Sequence, residues 1–180
     1  MECGDASGTG LLDIRCRAWH IGMLAAVDAE RDMGQLLPPL AESGAAIGQL
    51  RADVAAELGL PAGIPVASGG GDNMMAAIGT GNVSAGRLTV SLGTSGTLFT
   101  SADQPVVDPE GALAAFCSST GGWLPLLCTM NCTVSTELTR RLLALDIDAL
   151  EHHAAAAPAG AQGVMTLPFF NGERSPNLPT

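Results

Sequence analysis

The chain has 180 residues and a formal net charge of −10, from 18 acidic and 8 basic side chains. No run of basic residues occurs, which argues against a nucleic-acid-binding protein, because such proteins neutralise phosphates with Lys and Arg. Hydrophobic residues make up 47% of the chain and aromatic residues 3%, so we expect a core built mainly from Ala, Leu, Val and Ile.

Targeting and metal-binding signals are weak. No apolar stretch reaches the roughly 20 residues that a membrane-spanning helix needs, and the N-terminus lacks the basic and apolar regions of a signal peptide. The five cysteines form no CxxC pair, which fits reduced thiols. We interpret Cys128 and Cys132 as small buried side chains. The sequence therefore predicts a cytoplasmic protein with no membrane partner and no metal ligands of its own.

The first part of the chain predicts short strands and helices in alternation. Residues 11–14 predict a strand or one arm of a hairpin. Residues 36–59 predict a helical region, because apolar residues recur there at helical spacing and Gly59 followed by Pro61 is the usual order at a helix end. Residues 64–67 predict a short buried strand, which leads through three glycines into a helix.

After residue 87 the pattern changes to strands that follow one another directly. Residues 88–92 and 98–100 predict the two arms of a hairpin with a glycine-rich tip. Two more strands are predicted over residues 113–117 and 123–127. Two helices follow over residues 133–145 and 149–157, and a last strand covers residues 164–167. Because a hairpin makes a purely parallel sheet unlikely, the fold class is mixed α/β. The composition shift near residues 82–86 marks the expected domain boundary.

The segment SLGTSGT, residues 91–97, has the composition of a loop that approaches an anion. Gly93 and Gly96 lack a Cβ, so the backbone can come close to a ligand. Successive N–H groups in such a turn form a concave anion site, to which three hydroxyl side chains add donors. The alternative is an ordinary hairpin tip rich in small residues, and composition alone slightly favours that alternative.

The segment GGGDN, residues 69–73, places a carboxylate and an amide where a glycine-rich turn opens a helix. Asp72 could simply cap the helix, which is worth about 1 kcal/mol. A cap alone does not call for three preceding glycines. Together with the anion-binding segment, a carboxylate in this setting favours proton abstraction from a hydroxyl, and hence phosphoryl transfer.

These segments together resemble the FGGY carbohydrate kinases, and within that family the resemblance is strongest to the xylulokinase group. It covers the whole chain and rests on DASGTGLLDI, SGGGDNMMAAIGTG, VSLGTSGTLF, STGGWLPLLCTMNC and LPFFNGERSPNLP. It implies a fragment of an actin-like ATPase fold with two ribonuclease-H-like domains. Residues 1–82 would be the end of the sugar-binding N-terminal domain, and residues 83–180 the start of the ATP-binding C-terminal domain.

The resemblance also implies roles for individual residues. Asp72 takes the place of the catalytic base, and Asp72 and Asn73 would both contact the sugar. The residues that would contact the ATP phosphates are Gly93, Thr94, Ser95, Gly96 and Thr97. The resemblance implies ATP and Mg²⁺ as cofactors, with the first phosphate hairpin, the Mg²⁺ contacts and the adenosine segment outside this chain. Glu173 and Arg174 would position the sugar or seal the domain interface, and we prefer the interface.

The implied reaction is ATP-dependent phosphorylation of a pentulose, D-xylulose to D-xylulose 5-phosphate. Its partners would be a small-molecule sugar and ATP, with a homodimer as a further expectation for the full-length protein. The isolated fragment is expected to be inactive. The alternative function is a truncated, catalytically inactive fragment that acts only as a scaffold or binding module.

Overall fold

The computed structural model describes residues 1–178. The chain forms two compact units, the first from Met1–Thr89 with Phe99–Leu126 and the second from Val90–Leu98 with Leu127–Thr180. The assignment of residues 1–82 to a sugar-binding domain and of residues 83–180 to an ATP-binding domain stays a prediction. None of the helices among residues 1–178 combines the length and apolar character needed to cross a membrane.

The first unit contains four short helices and two separate antiparallel strand pairs. The helices are α1 (Cys3–Ser7), α2 (Ile21–Val27), α3 (Ala52–Leu58) and α4 (Asp72–Gly79), and a 3₁₀ turn covers Met33–Gln35. The strands are β1 (Leu12–Asp13), β2 (Ala18–Trp19), β3 (Ala46–Gln49) and β4 (Pro65–Ala67). Leu12 pairs with Trp19, so the predicted hairpin arm over residues 11–14 is confirmed. In the second pair, Ala46 lies opposite Ala67.

One hydrophobic cluster of the first unit lies between α1, β1 and the loop that contains Cys117. Its buried members are Ala6, Leu12, Ile14 and Cys117. Trp123 packs against this cluster, and its indole N–H donates to the Ile14 carbonyl at 2.9 Å. The low aromatic content therefore does not prevent a packed core, because small side chains fill it and one indole covers it.

A three-stranded sheet has the order β5–β6–β7, with strands at Leu88–Leu92, Gly96–Thr100 and Leu126–Thr129. A three-residue connection can join β5 to β6 only if they are antiparallel, so the predicted hairpin is confirmed. Beyond the sheet lie α5 (Thr133–Leu142), α6 (Ile147–Ala156) and a 3₁₀ turn at Ala161–Gly163. The two predicted helices are confirmed within three residues at each end, and the mixed α/β class is confirmed.

The predicted helical region over residues 36–59 is wrong in its first half. Residues 46–49 form β3, and the pairing with β4 continues where Leu50 N donates to the Ile64 carbonyl at 2.8 Å. Only α3 is helical, and Gly59 ends it at φ +67°, as predicted. The helical spacing of the apolar residues was accidental, because cross-strand partners satisfy the backbone groups of residues 46–50.

Three strand predictions need correction. The strand near residues 64–67 exists, but all three residues of β4 are exposed rather than buried. Residues 113–117 make isolated bridges, from Ala114 to Leu126 and from Cys117 to Trp123, instead of a strand. Residues 164–167 form no strand among the described residues, and the side chain of Met165 is 84% exposed. Apolar composition marked these segments, but strand formation also needs a partner edge.

Candidate functional site

Asp72 is the first residue of α4 and is exposed to solvent. Its Oδ1 accepts a hydrogen bond from Asn73 N at 2.7 Å and a second from Asn73 Nδ2 at 3.2 Å. The residue at the capping position is Gly71, which has no capping side chain. The carboxylate therefore satisfies one free N–H of the first turn, while its Oδ2 accepts no hydrogen bond from any residue in the described range 1–178.

Each of the three glycines before Asp72 has a structural reason within the first unit. Gly69 has φ +72°, a conformation that side chains with a Cβ rarely adopt. A Cβ on Gly70 would lie 2.6 Å from both Met75 Cε and Ser119 Oγ. A Cβ on Gly71 would lie 2.9 Å from the sulfur of Met74. A cap alone does not call for three glycines, as expected, but the turn and its packing do, so the glycines are not by themselves evidence of a ligand.

The tip of the β5–β6 hairpin consists of Gly93, Thr94 and Ser95, all exposed. The Gly93 N–H donates to the Ser95 carbonyl at 3.1 Å, which closes the tip. Within residues 1–178, the backbone N–H groups and the hydroxyls of Thr94 and Ser95 make no hydrogen bond. The tip thus presents two N–H donors and two hydroxyl donors to solvent, and these groups suit phosphate oxygens.

The carbonyl side of this tip rests on the start of α5. Cys132 N donates to the Thr94 carbonyl at 3.1 Å, and Thr133 N donates to the Gly93 carbonyl at 2.9 Å. The Thr133 hydroxyl adds a third bond, to the Gly93 carbonyl at 2.8 Å. Because its carbonyls are held on one side, the tip is fixed with its exposed donors free.

Gly96 and Thr97, the other two residues assigned to phosphate contact, belong to strand β6. Gly96 is buried, and a Cβ on it would lie 2.9 Å from Thr129 Oγ1 and 3.3 Å from Cys132 Cβ. Its lack of a side chain is therefore a packing requirement. Thr97 is half-buried. Of the five residues assigned to phosphate contact, the structure exposes Gly93, Thr94 and Ser95. Gly96 is buried next to the tip, where Thr129 and Cys132 pack against it.

Sequence reasoning did not find the buried polar cluster around Glu173, which is 4% exposed and lies in the second unit. Its carboxylate accepts from the N–H groups of Met130, Asn131 and Arg174, and from Asn131 Nδ2. Burial raises the pKa of this carboxyl, but the hydrogen bonds outweigh burial and the net pKa lies below its ordinary value. A glutamate directly after a glycine in a polar loop was the available signal.

The described residues contain no cluster of metal-ligating side chains. No three His, Cys, Asp or Glu side chains within residues 1–178 lie close enough together to hold a metal ion. Cys128 and Cys132 are half-buried free thiols, although both were expected to be buried. Mg²⁺ is commonly held by one or two carboxylates together with the phosphates of its nucleotide.

Comparison with known proteins adds three findings. Residues 1–79 match the N-terminal domain of the FGGY family of carbohydrate kinases. The chain is 46% identical over 178 residues to a xylulose kinase of Haemophilus influenzae and 40% identical over 176 residues to one of Streptomyces rubiginosus. These matches cover 99% and 98% of the chain, but only 36% and 34% of the relatives. The chain therefore spans about a third of the length of the curated relatives it matches.

The structural comparison agrees with the sequence comparison. A solved xyloylose kinase from Brucella ovis superposes with a TM-score of 0.87 at 33% identity, over 99% of this chain and 36% of that structure. The structural neighbours have the actin-like ATPase fold, so the expectation of a fragment of that fold is confirmed.

Proposed function

We propose that the chain is part of an ATP-dependent sugar kinase, because residues 1–79 match the N-terminal domain of the FGGY carbohydrate kinases and the chain resembles xylulose kinases over about a third of their length. The substrate we propose is a pentulose, D-xylulose, which would become D-xylulose 5-phosphate. The observation that carries this proposal is 46% identity, along 99% of the chain, to a relative named xylulose kinase. Residues 1–82 would contribute to the sugar-binding domain and residues 83–180 to the ATP-binding domain.

Asp72 would act as the base that accepts the proton of the attacking sugar hydroxyl. A hydroxyl is a poor nucleophile until its proton has an acceptor within hydrogen-bond reach. The exposure of Asp72 and its free Oδ2 support this role, because one carboxylate oxygen remains open to a ligand. Asn73 holds the other oxygen at 2.7 and 3.2 Å, which fixes the orientation of the carboxylate. Asn73 would also contact the sugar.

The hairpin tip would contact the phosphates of ATP. Phosphoryl transfer depends on positioning and on stabilising charge at the phosphoryl oxygens. The exposed donors of Thr94 and Ser95 support this role, and Gly93 allows the backbone to come close. Gly96 and Thr97 would act from strand β6. Because Gly96 has no side chain, Thr129 and Cys132 have room to pack next to the tip. When bound, Mg²⁺ would neutralise phosphate charge. Its ligands would not be a cluster of His, Cys, Asp or Glu side chains from residues 1–178.

The second candidate is an inactive fragment that binds or supports another polypeptide. Large apolar side chains on both units are exposed, among them Ile21 at 82% and Leu142 at 74%. Such surface suits burial against further protein. We propose that the chain alone does not turn over D-xylulose, because it spans about a third of the length of the enzymes it resembles.

A hybrid protein tests both candidates. In the hybrid kinase, this chain replaces the matching segment of the Haemophilus influenzae xylulose kinase. A coupled ADP-release assay compares the hybrid kinase with the chain alone, using D-xylulose, D-ribulose and glycerol. We expect sugar-stimulated turnover of the hybrid kinase with D-xylulose preferred, and none from the chain alone.

The possible results separate the candidates. A hybrid kinase that melts cooperatively but shows no turnover would contradict the kinase proposal and favour the scaffold. Turnover with another sugar preferred would overturn only the choice of D-xylulose. Turnover by the chain alone would overturn the proposal that it is incomplete.

A further inference from the structure

The four groups that bond the Glu173 carboxylate within the described residues are all donors. Oε1 accepts from Met130 N and from Arg174 N, the latter at 2.8 Å. Oε2 accepts from Asn131 N at 3.2 Å and from Asn131 Nδ2 at 3.1 Å. Only a group that accepts at both oxygens fits such a site, which means an ionised carboxylate. A cluster of this kind, buried and directional, fixes the backbone that supplies the donors.

The backbone held by Glu173 is the segment that supports the phosphate-binding tip. Met130 and Asn131 are followed directly by Cys132 and Thr133, whose N–H groups bond the carbonyls of Thr94 and Gly93 at 3.1 and 2.9 Å. On the other side, Thr129 precedes Met130, and its Oγ1 would lie 2.9 Å from a Cβ on Gly96. Glu173 therefore holds Met130 and Asn131, and the two residues that follow them bond the tip.

We propose that Glu173 is a positioning residue for the ATP-binding tip, acting through residues 129–133. This inference rests on the proposed function, because it assigns a purpose to the cluster only if the tip binds phosphate. Glu173 would not touch ATP or sugar. It would set the position of the Cys132 and Thr133 N–H groups, and through them the orientation of the exposed donors at Thr94 and Ser95.

The test uses Glu173→Gln in the hybrid kinase. The substitution keeps the shape but turns an NH₂ group toward two N–H donors, so two hydrogen bonds are replaced by repulsion. Bonds to a charged group are worth enough to change binding about 10-fold or more when lost. We expect the KM for ATP to rise about 10-fold, with the KM for D-xylulose nearly unchanged. Glu173→Asp, which keeps two acceptor oxygens, should recover part of the ATP affinity.

Glu137→Gln is the matched control. Glu137 is in the same unit and is also a hydrogen-bonded carboxylate, but within the described residues its partners are Arg140 and Arg141 rather than any of residues 129–133. We expect unchanged Michaelis constants for this variant. Equal rises in both Michaelis constants for Glu173→Gln, or an unchanged KM for ATP, would overturn the positioning role while leaving the kinase proposal intact.

Amide hydrogen exchange decides the inference independently of activity. In the folded Glu173→Gln variant, exchange should become faster at Cys132 and Thr133 and stay unchanged in α6. If these amides exchange at the parent rate, the coupling from Glu173 to the tip does not exist. If exchange responds but the parent hybrid kinase has no activity, the coupling stands as structure and its assignment to ATP binding is overturned together with the proposed function.

Discussion

The carboxylate of Asp72 is held by its own neighbour, since Asn73 donates to Asp72 Oδ1 from both its backbone N–H and its side-chain amide. This arrangement keeps the second oxygen free at the exposed start of α4. It also means that the carboxylate contributes one first-turn hydrogen bond to the helix. The catalytic and the capping interpretations of Asp72 therefore predict different results for one substitution.

Asp72→Asn should separate the two interpretations in the hybrid kinase. The amide keeps an oxygen for the Asn73 N–H but cannot accept the sugar proton, so kcat should fall by about 10²–10⁴-fold. The KM for D-xylulose should change much less. The capping interpretation predicts normal kcat and little change in stability, because Asn caps helices about as well as Asp. Steady-state kinetics with a melting curve distinguish the outcomes, and near-normal turnover would remove the base assignment.

Substitutions at the two glycines of the hairpin should act differently. Gly93→Val adds a side chain at the exposed tip, where the nearest atom to its Cβ is the Ser95 carbonyl oxygen at 3.4 Å. We expect a higher KM for ATP and little change in melting temperature. Gly96→Val places atoms against Thr129 and Cys132, an overpacking that costs about 1–3 kcal/mol. Melting curves and ATP titrations of both variants test this, and equal loss of stability in the two would show that the tip is also a packing site.

Asn82 should be a strong determinant of stability. It is 2% exposed, its Nδ2 donates to Thr89 Oγ1 and the Phe99 carbonyl, and its Oδ1 accepts from Ser101 N at 3.1 Å. Asn82→Ala leaves buried partners unsatisfied and should lower the free energy of unfolding by about 2–4 kcal/mol. The matched control is Asn171→Ala, because Asn171 is exposed. Urea unfolding measures both, and equal small losses would show that the cluster is replaceable.

Glu137 should titrate far below an ordinary glutamate. Hydrogen bonds from Arg140, and then from Arg141, lower its pKa from 4.5 to about 2. A lowered folded-state pKa means that the ion pair stabilises α5 above pH 4.5, and that this contribution is lost as the pH falls toward about 2. Carbon NMR of the carboxyl group should show the midpoint.

Two variants check the cause of that shift. Arg140→Gln removes two hydrogen bonds to Glu137, at 2.8 and 2.7 Å, whereas Arg141→Gln removes one, at 2.8 Å. The Arg140 variant should therefore raise the midpoint more. A parent midpoint near 4.5 would show that the exposed pairs are not populated in solution.

The sequence predicted the hairpin, its tip and α4 well because each is specified locally. Glycines and small hydroxyl residues define the tip between two strands that contain β-branched residues. Three glycines followed by Asp72 define a turn into a helix. The predictions for residues 36–59 and 164–167 were wrong for the opposite reason. Apolar periodicity does not say whether a partner strand is present, and β3 exists only because β4 pairs with it.

For the candidate site, the sequence by itself determined which groups are chemically able to act, namely the Asp72 carboxylate and the donors of residues 93–95. Only the tertiary structure decided which of them are exposed and what holds them. Gly96 and Thr97 lie in a strand, the glycines at 69–71 serve turn and packing, and Glu173 reaches residues 43 and 42 positions earlier in the chain, Met130 and Asn131. The physical reason is that turn chemistry acts over a few residues, whereas burial and buried hydrogen bonds join segments whose separation along the chain carries no sequence signal.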